Sequence, residues 1–130
     1  MRIDGYCQKS WQINDDKSLE DALAWRDNLG GGAFFIASDN EEYPMLAIRV
    51  SGDLADVHYF PQAGHPGFRC LGGDGLPAGG TTPLVFQGCD PAAGEETPNK
   101  FIVPIETACA VAREFFDTRQ MSESVSWVEL

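Results

Sequence analysis

The sequence predicts an α+β fold: a central antiparallel sheet of about five to seven strands, two amphipathic helices and a closing C-terminal strand. Three observations carry this. Residues 18–29 and 104–118 place apolar side chains at helical steps of three and four. Between them lie short apolar runs separated by glycine, proline and acidic turns, the pattern of consecutive strands. Residues 124–130 alternate like one more strand.

The elements follow in order. Residues 6–13 alternate loosely around Tyr6, Trp11 and Ile13 and are expected to form a first strand. Ser18 is the expected N-cap of the first helix, with Glu20 and Asp21 near its positive end. Leu19, Ala22, Leu23, Trp25 and Leu29 share a broad face, and Gly30, Gly31 and Gly32 end the helix. A short apolar run at 33–37 and a polar turn at 39–42 precede a strand at 45–50. Ser51-Gly52-Asp53 is a hairpin signal, and 54–60 is the returning strand. Its alternation puts Ala55, Val57 and Tyr59 on one side and Leu54, Asp56, His58 and Phe60 on the other.

Residues 61–80 hold three prolines and seven glycines, interrupted by a short strand at 68–71. A further strand is expected at 82–87, and 89–99 reads as a mobile connection without an apolar anchor. Residues 101–103 read as a short strand. Pro104 then opens the second helix, where its missing N–H is not needed. Ile105, Ala108, Cys109, Ala112, Phe115 and Phe116 make that helix's apolar stripe.

Size and composition narrow the function. The 130 residues, 43% hydrophobic and 22% charged, suit one globular domain spanning 1–130. A chain of this size can bury a core without a metal or disulfides. Twenty acidic residues against nine basic ones give a net charge of −11. That balance opposes direct nucleic-acid binding, which rewards Lys and Arg, and favours a basic partner or simply solubility. The start of the sequence lacks the basic and apolar run of a signal peptide, and no apolar stretch reaches the length of a membrane span. A cytoplasmic protein that does not engage membranes is expected. Cys7, Cys70, Cys89 and Cys109 form no CxxC pair and are expected to be reduced, mostly buried thiols.

Catalytic patterns are sparse, and neither a catalytic residue, a metal site nor a cofactor is expected. His58 and His65 belong to no HExxH or Cys/His metal spacing. A thiol enzyme would use Cys70 with one of these histidines, but Phe68 and Leu71 give that cysteine an apolar setting. The glycines at 72, 73, 75, 79 and 80 match no phosphate-binding loop and serve turns instead. Glu41, Glu42, Asp53, Asp56 and Asp74 are candidates for an acidic surface around the central hairpin, with Tyr59 and Phe68 as aromatic anchors. The bland alternative is a solvated acidic face. A different class of function stays open: a small-ligand or sensory domain using loops 61–80, with a pocket lined by His58, Phe68 and Cys70.

The last third of the chain adds a resemblance. Val103-Pro104-Ile105, the Ala/Phe-rich helix from Ala108 to Phe116, and Val125-Ser126-Trp127 resemble the ending of the Imm1 family of bacterial immunity proteins. Trp127-Val128-Glu129-Leu130 looks like members that accompany deaminase toxins. Tyr43-Pro44-Met45-Leu46, Val57-His58-Tyr59-Phe60 and Leu71-Gly72-Gly73 are similar to the family's middle, whereas 89–99 has no counterpart. The resemblance implies a non-catalytic α+β protein that binds a cognate toxin domain, a nucleic-acid deaminase or nuclease, and blocks its active site. It also implies that Gly72 and Gly73 form the family's small-residue turn and that Trp127 is its tryptophan, expected to anchor the core. A homodimer of the free chain stays open.

Overall fold

The computed structural model describes residues 1–6, 9–87, 92 and 94–130. In chain order the elements are β1 (Arg2–Gly5), β2 (Ser10–Gln12), α1 (Asp16–Leu23), β3 (Gly31–Ala37), β4 (Met45–Ser51), β5 (Leu54–Phe60) and β6 (Phe68–Cys70). There follow β7 (Thr81–Leu84), β8 (Glu95–Pro98), a 3-10 turn (Asn99–Phe101), β9 (Val103–Pro104), α2 (Ile105–Thr118) and β10 (Trp127–Glu129). The large sheet runs β10-β6-β5-β4-β3-β1-β2 with antiparallel neighbours. β9 pairs with the start of β5, and β7 and β8 form a separate ribbon. The α+β expectation therefore holds, including the C-terminal strand.

Period-two alternation in the central strands builds two cores. Ile3, Phe34, Ile36, Leu46, Ile48, Val50, Val57 and Tyr59 pack with Leu19, Ala22 and Leu23 of α1 and Ala108, Val111, Ala112 and Phe115 of α2. Both helices thus cover one face. A smaller cluster of Leu84, Phe86 and Ile102, with Leu54 and Leu76 against it, joins the ribbon to the structure. The Gly52–Asp53 turn reverses the chain between β4 and β5, with Gly52 at positive φ as such two-residue turns require.

Several boundaries differ from the sequence reading. The first strand is not 6–13: Arg2–Gly5 and Ser10–Gln12 form a hairpin, and Tyr6 is an exposed turn residue. A single apolar side chain, the fully buried Ile3, fixes β1, too weak a pattern to register in sequence. The first helix begins earlier and stops at Leu23, not Leu29. Asp15 is its N-cap, accepting the Ser18 N–H at 2.8 Å while the Ser18 hydroxyl accepts the Asp15 N–H at 3.1 Å. At the other end the Arg26 guanidinium donates to the carbonyls of Leu23 and Trp25, satisfying groups a helix leaves open. Leaving the helix lets Trp25 meet Trp11, with Lys9 above both rings. Gly31 and Gly32 do not terminate the helix; they pair with Ser51 and Val50 as part of β3.

The 89–99 connection divides. Residues 88–91 and 93 lie outside the described residues, while Glu95–Pro98 is a strand. Its anchors are polar: Thr97 and Asn99 are buried, with Asn99 donating to Pro77 O at 2.8 Å. A search for apolar anchors cannot find them. The strand expected at 82–87 ends at Leu84, because Phe86 folds under Arg49. Residues 99–101 form a 3-10 turn, so the strand expected at 101–103 is confined to Val103–Pro104.

Candidate functional site

The acidic candidates are not one patch. Glu41 and Glu42 are exposed before β4, whereas Asp53 is exposed in the turn after it. Seven strand residues separate the two ends of β4, about 20 Å of extended chain. Asp74 lies on Asp53's side of the molecule. It lines a cleft of about 520 Å³ with Gly72, Pro104, Thr107 and Glu123, and Asp53 O accepts the Ile105 N–H at 2.8 Å beside Pro104. None of Glu41, Glu42, Asp53, Asp74 or Glu123 joins an ion pair among the described residues.

Asp56 plays a different part. It is fully buried on the sheet face away from the helices, directly opposite Arg49 and diagonal to Arg69. Its carboxylate takes Arg49 at 2.6 Å and Arg69 at 2.9 and 3.0 Å. Arg49 continues to Glu95 at 2.9 Å and lies over Phe86, and Arg69 lies over Phe101. Burial alone would raise the Asp56 pKa, but hydrogen bonds from Arg69 and Arg49 and the nearby His58 hold it below the usual carboxylate value. This acid joins strands and ribbon internally and presents no charge outward. The sequence signal for that role was an acid mid-strand between two strands that each carry one arginine.

The aromatic candidates are also built in. Tyr59 is buried among Phe68, Phe115 and Trp127. Phe68 is half-buried, with the His65 ring stacked on it at 5.2 Å. Trp127 pairs with Cys70 across β10 and β6, packs against the main core, and donates its indole N–H to Ser122 O at 2.9 Å. Gly72 and Gly73 donate to Lys100 O at 2.6 Å and Ile102 O at 2.8 Å, drawing two backbones together. A Cβ at Gly72 would run into the Ile102 carbonyl oxygen and come within 2.7 Å of Val103 Cγ1. These glycines serve close backbone approach rather than a phosphate cradle.

The thiol and ligand-pocket arrangements do not assemble. His58 stands opposite Arg69, so the next residue, Cys70, points through the other face of the sheet. Cys70 is fully buried, and burial pushes its thiol up to about 11, far from a thiolate at neutral pH. Cys70 and Cys109 are free thiols, while Cys7 and Cys89 lie outside the described residues. Among the described residues no group of three His, Cys, Asp or Glu side chains could hold a metal, and no helix is long and apolar enough to cross a membrane.

Among the surfaces with unpaired acids, the cleft between the Gly72–Asp74 loop, the start of α2 and residues 123–126 combines them with a concavity, Asp74 and Glu123 both lining it. Sequence reasoning missed Glu123 there, because only the fold brings it beside Asp74. Comparison with known families matches residues 29–129 to Immunity protein Imm1. The chain belongs to the Imm1 family. That membership points to toxin neutralisation through a cognate toxin partner, and to a non-enzymatic inhibitor. The Imm1 match takes in β3 to β10, including the cleft, the buried Asp56 cluster and Trp127, and leaves β1, β2 and α1 outside it. No curated protein matches the chain.

Proposed function

We propose that this Imm1 protein binds a cognate nucleic-acid-targeting toxin, a deaminase or nuclease, and covers its active-site groove with the face bearing Asp53, Asp74 and Glu123. The observation that carries the reading is the cleft itself: its rim holds carboxylates that no described cation neutralises. A groove that binds nucleic acid is cationic, since phosphates reward Lys and Arg. An acidic surface complements such a groove and speeds the encounter. Glu41 and Glu42, at the other end of β4, would lie at the margin of that footprint or add to the long-range field. Phe68, already stacked under His65, supports the loop at 61–67 more than it offers a free anchor. The chain, acting as one domain, would meet its toxin in the cytoplasm, where the toxin meets its nucleic acid.

The test mixes the purified chain with the toxin encoded beside it. A stoichiometric complex, loss of toxin activity and protection of cells expressing the toxin are expected. A chain that neither binds nor protects refutes the reading. Asp53→Asn with Asp74→Asn should weaken binding, whereas Glu41→Gln with Glu42→Gln should change it little.

A further inference from the structure

Next to the acidic cleft lies a second concavity of about 390 Å³, and Glu123 stands on the rim of both. Its floor is Tyr59, Met121 and Trp127, with Gln120 at the edge. Tyr59 is only 8% exposed, yet among the described residues its hydroxyl has no hydrogen-bond partner. Among the described residues no buried side-chain nitrogen or oxygen lacks a partner, so that hydroxyl is not sealed in the core. It opens into the concavity that the residue lines. With its ring buried and its oxygen facing an open concavity, this phenol offers a fixed hydrogen-bonding group that a bound polar group can take over from water.

The walls are fixed in advance. The Glu114 carboxylate accepts the Ser122 hydroxyl and, at 3.2 Å, the Glu123 N–H. Trp127 holds Ser122 O from the other side, and Arg119 binds the carbonyls of Phe115 and Phe116 at the end of α2. The exposed side chains of Gln120 and Glu123 are left free to meet a ligand. Rigid walls lower the ordering entropy lost on binding.

We infer that this pocket receives an arginine side chain of the toxin, an assignment that rests on the inhibitor reading above. The aliphatic stem would lie along Met121 and the flat guanidinium would stack on Trp127. Its N–H groups would reach the Glu123 carboxylate, the Tyr59 phenol oxygen and the Gln120 carbonyl. Arginine fits better than lysine because its planar, weakly hydrated cation stacks on aromatic faces and donates in several directions. A purely apolar side chain would leave the phenol unpaired.

The indole N–H of Trp127 gives an NMR signal inside the pocket. Titration with N-acetyl-arginine-N-methylamide should shift it saturably. Glu123→Gln should weaken that binding about fivefold, the size of one charge-assisted contact. Tyr59→Phe should weaken it while leaving the melting temperature near wild type. Citrulline and norleucine counterparts should bind more weakly. Absence of a saturable shift, equal binding of the citrulline or norleucine probe, or indifference to Glu123→Gln overturns the assignment. With the cognate toxin, both variants should dissociate faster than wild type. If wild type binds toxin but both variants leave at its rate, the pocket is refuted and the inhibitor reading stands. If wild type does not bind, the inhibitor reading fails, and the probe titration still decides the pocket.

Discussion

At the scale of single residues, the sharpest constraints are steric and electrostatic. Gly72 has no room for a methyl group, because the Ile102 carbonyl and Val103 side chain occupy that space. Gly72→Ala should push two hydrogen-bonded backbones apart and destabilise the fold by about 2–3 kcal/mol, read by urea denaturation. The Asp56 cluster predicts acid sensitivity. Burial lowers the His58 pKa despite the nearby Asp56 carboxylate, with Arg69 and Arg49 also opposing its charge. The unfolded chain then binds a proton first as pH falls, so stability drops from about pH 6.5 down to the lower folded value. Asp56 adds a second loss at lower pH, below the ordinary carboxylate value, as it protonates. Denaturation midpoints for His58→Gln should change less between pH 7 and pH 5 than those of wild type. An identical slope would remove His58 from the account.

At the scale of elements, the ribbon β7–β8 is held to the sheet differently from the helices. Both helices dock through a continuous apolar layer, whereas the ribbon relies on the small Leu84, Phe86 and Ile102 cluster and on Glu95 meeting Arg49. Glu95→Gln removes the charge at that bridge and leaves Arg49 its pair with Asp56. Hydrogen exchange should therefore quicken at ribbon amides within 81–98 while β3, β4 and α2 keep their protection. Uniform acceleration everywhere would mean that the ribbon opens only with the whole fold. The helix caps show the same logic on a smaller scale: Asp15 and Ser18 satisfy each other's backbone, and Arg26 closes the other end.

For the whole molecule, the net charge of −11 acts through its distribution. Asp56 and Glu95 are neutralised internally by Arg49 and Arg69, so the field comes from acids such as Asp53, Asp74 and Glu123. Association with a cationic toxin should slow by about tenfold or more as ionic strength rises from roughly 10 mM to 300 mM, while dissociation changes less. Stopped-flow mixing measures both. Asp53→Asn with Asp74→Asn should flatten that salt dependence, and a wild-type association rate insensitive to salt would contradict electrostatic steering.

The sequence by itself determined the class of fold, the central β4–β5 hairpin, the course of α2 and the excess of negative charge. These depend on local periodicity and on composition, which act within one segment or over the whole chain. The family was legible for a related reason, since the Val103 to Trp127 ending carries its own pattern. Only the tertiary structure decided which acids are available. Asp53 and Asp56 are three residues apart, yet one sits in an open turn and the other is enclosed by arginines from two neighbouring strands. Glu123 and Tyr59 are far apart in sequence and meet on one pocket because β10 joins the sheet through β6, one strand beyond β5, and the end of α2 packs over β5. Burial and charge pairing are set by what lies across the sheet. No window along the chain contains that information.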